Sequence, residues 1–130
     1  MNRYRTAAAA TLTLGTLLTA TAAAPAVAND ADVIRRGNCS GSADWKLKAS
    51  PENGRIEVEG EVDSNRNGQA WNWRIKHNGS LSDRGTKTTR APSGSFTVRR
   101  VLVNVRGEDR IVFRAHNPRS GQTCRGALTF

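Results

Sequence analysis

From Trp45 to Phe130 apolar side chains recur at every second residue, and clusters of Gly, Pro, Asn, Asp and Ser break the pattern about every ten residues. A chain patterned this way cannot bury its apolar side as a helix, because a period of two scatters those residues around a turn of about 3.6. In a strand the same period puts them on one face. The expectation is an all-β domain of short antiparallel strands, closed as a sandwich or a small barrel.

Followed along the chain, the pattern predicts about seven strands. Trp45, Leu47 and Ala49 alternate with Lys46 and Lys48, and Pro51-Glu52-Asn53-Gly54 ends this stretch. Ile56, Val58, Gly60 and Val62 follow, with Arg55, Glu57, Glu59 and Glu61 on the opposite face. Folding the two across a four-residue loop predicts Lys48 beside Glu57 and Lys46 beside Glu59, a charge-matched outer face. A third strand sets Trp71, Trp73 and Ile75 inward and ends at the hairpin signal Asn78-Gly79. The polar stretch Ser80 to Arg90 reads as an edge strand. Phe96, Val98, Val101 and Val103 supply the fifth strand, with a slip at Arg99-Arg100 that predicts a bulge.

Ile111, Phe113 and Ala115 form the sixth strand, and Cys124, Gly126, Leu128 and Phe130 the seventh. Gly60 and Gly126 fall on inner faces, where an indole lying over each would explain the missing side chain. Seven strands at this spacing predict an immunoglobulin-like or fibronectin-like antiparallel β-sandwich, with a closed barrel as runner-up. No internal repeat is visible.

Ahead of this domain, Arg3 and Arg5 precede the uncharged run Ala7 to Ala20, and Ala26-Val27-Ala28 offers a cleavage site. Residues 1–28 therefore read as a secretory signal peptide and residues 29–130 as the exported domain. The apolar run is diluted with Thr and Gly and is shorter than the roughly 20 residues of a spanning helix, so the mature form is expected to be released, extracellular and without a membrane span. Export takes Cys39 and Cys124, the only cysteines, into an oxidising compartment, where one disulfide is the default. Cysteines this far apart lack the short spacing of a zinc site, so neither metal nor cofactor is expected.

Candidates for chemistry are few. His77 and His116 both adjoin expected turns, and no Gly-x-Ser-x-Gly elbow surrounds any serine, which predicts no catalytic residues and no enzyme. A small hydrolase would need one of these histidines in a deep pocket with a carboxylate. Asp63-Ser64-Asn65-Arg66-Asn67-Gly68-Gln69 has the oxygen spacing of a calcium loop, but Arg74 stands where an EF-hand places its bidentate Glu. A polar hairpin loop is the simpler expectation. Entry of that loop into a protease cleft is the alternative function, an extracellular protease inhibitor.

The sharpest feature is electrostatic. Beyond residue 28 the chain carries 18 basic against 11 acidic residues, a net +7, and 14 of the 18 are Arg. Pairing the last two strands across Pro118 to Gly121 sets Ala115 beside Cys124, Phe113 beside Gly126 and Ile111 beside Leu128. The same register puts Arg114 opposite Arg125 on the outside, an unfavourable pair. If the Trp71 strand lies next to the Phe113 strand, Arg74 and Lys76 join Arg110, Arg114 and Arg125 on one surface. Such a surface suits an anionic partner: an anionic cell-wall polymer such as a teichoic acid, an acidic polysaccharide or an acidic protein. Nucleic acid is a further anion, with no sequence feature of its own pointing to it.

With these residues in view, the chain resembles a group of small secreted β-sandwich proteins of high-GC Gram-positive (actinobacterial) bacteria. The resemblance rests on Asn38-Cys39-Ser40-Gly41, on Asp44-Trp45-Lys46-Leu47 through Arg55-Ile56-Glu57-Val58, and on Asn65-Arg66-Asn67-Gly68-Gln69. Ser93-Gly94-Ser95-Phe96 and the ending from Ala115 through Asn117-Pro118 to Cys124-Arg125-Gly126 also carry it. It implies export, the disulfide and a bacterial source, and no reaction.

Overall fold

The computed structural model describes residues 31–130, and the signal peptide expected over residues 1–28 lies outside the described residues. Eight strands follow one another: β1 (Val33–Asn38), β2 (Asp44–Glu52), β3 (Arg55–Asp63), β4 (Ala70–His77), β5 (Ser80–Thr88), β6 (Ser95–Val103), β7 (Arg110–His116) and β8 (Thr123–Thr129). All pair antiparallel, in two four-stranded sheets ordered β1-β2-β3-β6 and β5-β4-β7-β8. The sheets face each other across one apolar core, a β-sandwich with no helix among the described residues.

The strand beyond the seven expected is β1. Val33-Ile34-Arg35-Arg36-Gly37-Asn38 does not alternate, because β1 is an edge strand and of its side chains only Val33 packs on the core. Cys39 therefore follows the first strand instead of preceding it.

At the first hairpin, Asn53 and Gly54 have φ of 49° and 76°. Positive φ at both centres is what a two-residue type I′ turn requires. β2 accordingly runs on through Pro51 and Glu52, and the pairs are Lys48 with Glu59 and Lys46 with Glu61. The expected register, built on a four-residue loop, is off by two residues; an even slip keeps every side chain on its face. Pro51 costs no ladder bond, since it sits one pair from the turn-closing Glu52 and Arg55, and β1 begins only at Val33, opposite Ala49. The outer face is charge-matched all the same. Lys46 pairs with Glu61 at 3.1 Å, Lys48 with Asp32 at 3.1 Å, and Arg99 of β6 with both Glu57 and Glu59.

β6 corrects a second expectation. It pairs with β3 without interruption from Ser95 to Val103, so there is no bulge at Arg99-Arg100. Strict alternation then turns Val101 and Val103 outward, 43% and 59% exposed, and brings Arg100 to the inner side between Val98 and Leu102. Its guanidinium lies 5.0 Å from the centroid of the Trp73 ring and pairs with Asp83 of β5. β5 and β6 are edge strands on the same flank, and a charge turned inward there discourages edge-to-edge association.

The Arg100 hydrogen bond, with the backbone N–H of Arg84, holds the Asp83 carboxyl below its ordinary value. A carboxyl depressed on folding contributes stability that is fully present above the unfolded aspartate pKa, about 3.9, and lost as pH falls through the folded value. Arg100→Gln should raise the Asp83 pKa and flatten the acid limb of the stability curve. Carboxyl NMR titration checks the first and urea unfolding at descending pH the second.

At the opposite flank β1 and β2 lie against β8. Here the half-buried Trp45 indole is wedged between two glycines. A Cβ on Gly37 would stand 2.7 Å from it and one on Gly126 2.5 Å. Gly126 thus makes room for an indole as expected, whereas Gly60 makes room for Phe113, 2.6 Å from where its Cβ would be. Gly126→Ala is expected to cost about 1–3 kcal/mol by overpacking, checked by urea unfolding followed through tryptophan fluorescence. The Cys39–Cys124 disulfide closes the same flank. That bond is compatible with an oxidising, extracellular compartment. No helix among the described residues is long and apolar enough to cross a membrane.

Candidate functional site

The outer face of the β5-β4-β7-β8 sheet is built by register. β7 and β8 pair as the alternation predicts: Ala115 with Cys124, Phe113 with Gly126, Ile111 with Leu128, and Arg114 with Arg125 outside. β4 lies beside β7 with Arg74 directly opposite Arg114. On its other edge Arg74 faces Arg84 of β5. One arginine per strand, Arg84, Arg74, Arg114 and Arg125, therefore forms an unbroken row across the whole sheet.

A bulge produces the β5 end of this row. The Asn78-Gly79 turn closes on His77 and Ser80 and pairs Lys76 with Leu81, but Ile75 then faces Asp83, leaving Ser82 as the extra residue. Regular pairing would have set Asp83 against Arg74, a compensated outer pair. The inserted residue instead sends Asp83 inward to Arg100 and puts Arg84 in its place.

Around the row the outward strand positions hold six basic residues, Arg74, Lys76, Arg84, Arg110, Arg114 and Arg125, and no carboxylate. None of the four row guanidiniums has a carboxylate partner among the described residues. Three directly opposed like-charge pairs cost about 1–2 kcal/mol together, less as salt rises. The first sheet's outer face, by contrast, neutralises its lysines and glutamates against each other.

Alongside runs a second row, Thr86, Asn72, His116 and Thr123, also one residue per strand. The Thr86 hydroxyl donates to Asn72 Oδ1 at 3.0 Å, and His116 Nδ1 and Thr123 Oγ1 lie 3.1 Å apart. Between β5 and β7 the two rows line an open groove of about 630 Å³, and a smaller one of about 130 Å³ continues it past Arg114 to Arg125.

Of the five basic residues singled out in the sequence, Arg74, Arg114 and Arg125 fall in the row and Lys76 lies two residues along β4 from Arg74, lining both grooves. Arg110 shares the face but stands at its end, opposite Thr129, with its backbone N–H donating to Asn78 Oδ1 at 2.8 Å. Arg84 is the member that alternation missed.

The remaining candidates separate. His77 meets the buried carboxylate of Asp109 at 2.5 Å and lines neither groove of this face, while His116 lines the larger one with a hydroxyl beside it. In the Asp63–Gln69 loop, Asp63 Oδ1 accepts from the Asn65 backbone N–H, and the buried Ser64 hydroxyl donates to the carbonyls of Arg66 and Gly94. Thr89 also donates to the Arg66 carbonyl, and Gly94, at φ 73°, lies against the loop backbone. The loop is thus tied to the turn before β6. Among the described residues no group of three His, Cys, Asp or Glu could hold a metal ion. Trp71 and Trp73 are buried, as their parity with Ile75 predicted.

No family model, no curated protein and no solved structure matches this chain.

Proposed function

We propose that this chain is a secreted, non-enzymatic binding module of immunoglobulin-like form that captures an anionic extracellular or cell-wall partner on its β5-β4-β7-β8 face. The carrying observation is the row of four uncompensated arginines, each directly opposite the next. A fold gains nothing from such an arrangement, and an incoming polyanion gains a great deal. The grouping of β4, β7 and β8 in one sheet against β2, β3 and β6 in the other supports the immunoglobulin-like assignment. The bacterial source and export that the resemblance implies are in keeping with an extracellular setting.

The test is retention of the mature protein on purified cell walls and on immobilised anionic polymers while salt is raised. The expected result is retention at low ionic strength, released by salt and removed by Arg114→Glu combined with Arg125→Glu. Absence of retention at low ionic strength, or retention indifferent to the double variant, overturns the reading.

A further inference from the structure

We infer that the arginine row takes a slender linear phosphate polymer, laid across the strands with its phosphates lodged between neighbouring guanidinium groups. This rests on the reading of the face as an anion site and goes further by naming the anion's chemistry and direction.

Register supplies the first reason. Arg84, Arg74, Arg114 and Arg125 occupy consecutive strands, so neighbours are separated by the inter-strand spacing of about 4.8 Å. A phosphate seated between two of them can turn one non-bridging oxygen to each, because its oxygens diverge tetrahedrally. A carboxylate is planar, and its two oxygens are matched by the fork of a single guanidinium. Four arginines offer three inter-arginine seats in a line spanning about 14 Å. That is longer than one small anion and runs from one edge strand of the sheet to the other.

Residue type supplies the second. Every member of the row is Arg, although the chain has lysine on the same face at Lys76. Arg presents a rigid planar set of donors able to serve phosphates on either side, where Lys presents a point charge.

The third is the absence of an outward Phe, Tyr or Trp. The outward positions of β4, β5, β7 and β8 carry no Phe, Tyr or Trp, since Trp71, Trp73 and Phe113 all face the core. Single-stranded nucleic acid binders stack bases on broad aromatic faces, whereas in this groove Trp73 is only 4% exposed and the one outward ring of these strands is the His116 imidazole, a poor platform for successive bases. It offers charge, and in the row Thr86, Asn72, His116 and Thr123 it offers hydroxyl, amide and imidazole groups for a polymer carrying hydroxyls.

The test uses the mature, oxidised protein and four probes of matched total charge: inorganic polyphosphate, poly(glycerol phosphate), poly-glutamate and oligo-dT. The two phosphate chains should bind at least about tenfold more tightly than poly-glutamate or oligo-dT. Arg74→Lys with Arg114→Lys, which keeps the charge and removes the planar donors, should abolish that preference while leaving poly-glutamate binding within about twofold of the parent. Tighter binding of poly(glycerol phosphate) than of polyphosphate would place the polymer's hydroxyls on the Thr86 to Thr123 row. The reverse order would make phosphate density the selected property, and both orders support a phosphate chain. Equal binding of poly-glutamate, or a preference untouched by the lysine variant, overturns the phosphate assignment while leaving the anion face standing; equal or tighter binding of oligo-dT, itself a phosphodiester chain, overturns the assignment to a slender polymer without bases. No binding of any probe removes the face as a site altogether.

Discussion

Replacing both Cys39 and Cys124 by Ala should lower the stability of the domain by about 4–5 kcal/mol. The bond joins residues 85 apart in sequence, and that separation sets the entropy released to the unfolded chain when the bond is absent. Domains of this size have total stabilities of about 5–15 kcal/mol, so the change removes a large share of the whole. Location adds to the effect. The disulfide ties the segment after the edge strand β1 to β8, beside the Trp45 indole that fills the space over Gly37 and Gly126. Urea unfolding of the oxidised parent and the double variant, at pH and salt where both are folded at zero denaturant, gives the difference directly. The variant's first loss of structure should be at β1, read as early amide exchange from Val33 to Asn38.

Arg74→Glu should do two things that ordinarily oppose each other: stabilise the fold and destroy the site. Arg74, like Arg114, has an arginine directly opposite on both sides, here Arg84 on β5 and Arg114 on β7. The introduced carboxylate turns two repulsive cross-strand pairs into two attractive ones, a gain of about 1–2 kcal/mol at low salt. The same change breaks the row at its centre and removes more than one unit of counterion release. Retention on a polyanion should then fall at least about tenfold at low ionic strength, with a shallower salt dependence. A merely solvated face predicts the rise in stability and no binding to lose. A basic face without register predicts a small loss in proportion to net charge.

Much of this surface was legible before any coordinates, because period two fixes which side each residue takes once a strand is recognised. The β7–β8 hairpin is readable in full: inner residues alternate cleanly from Ile111 to Ala115 and from Cys124 to Leu128, and closure across Pro118 to Gly121 picks the observed register from those that keep both faces. Failures occurred where parity gives no guidance. The first hairpin could close on two or four residues with the same inner face, and positive φ at Asn53 and Gly54 decided for two. At Arg99-Arg100 the preference for burying valine suggested a bulge. The chain instead keeps its ladder, exposes Val101 and Val103, and stacks Arg100 on Trp73, where Asp83 completes its pairing.

Arg84 was hidden for a related reason. β5 is a polar edge with almost no apolar alternation, so only the turn at Asn78-Gly79 fixes its start, and counting from that turn gives Asp83 opposite Arg74. The single extra residue at Ser82 changes the neighbour from a carboxylate to a guanidinium. It also supplies Asp83 to Arg100 across the flank between the sheets. One irregularity thus both locks the β5–β6 edge and takes from the outer face the carboxylate that regular pairing would have set opposite Arg74. Of the chain's 11 acidic residues, Asp32, Asp44, Glu52, Glu57, Glu59, Glu61 and Asp63 lie on the first sheet or just before it, while Asp109, next to β7, is buried and Asp83 turns toward Arg100.

The most direct measurement is an arginine side-chain NMR titration, following the Nε–Hε signals of the 14 arginines beyond residue 28 as polyphosphate is added to the mature protein. The signals of Arg84, Arg74, Arg114 and Arg125 should move together and saturate at one concentration, while those of Arg55, Arg99 and Arg100 stay in place. Shifts led by Arg35 and Arg36 on β1, or spread evenly over all the arginines, would contradict the row as the binding surface.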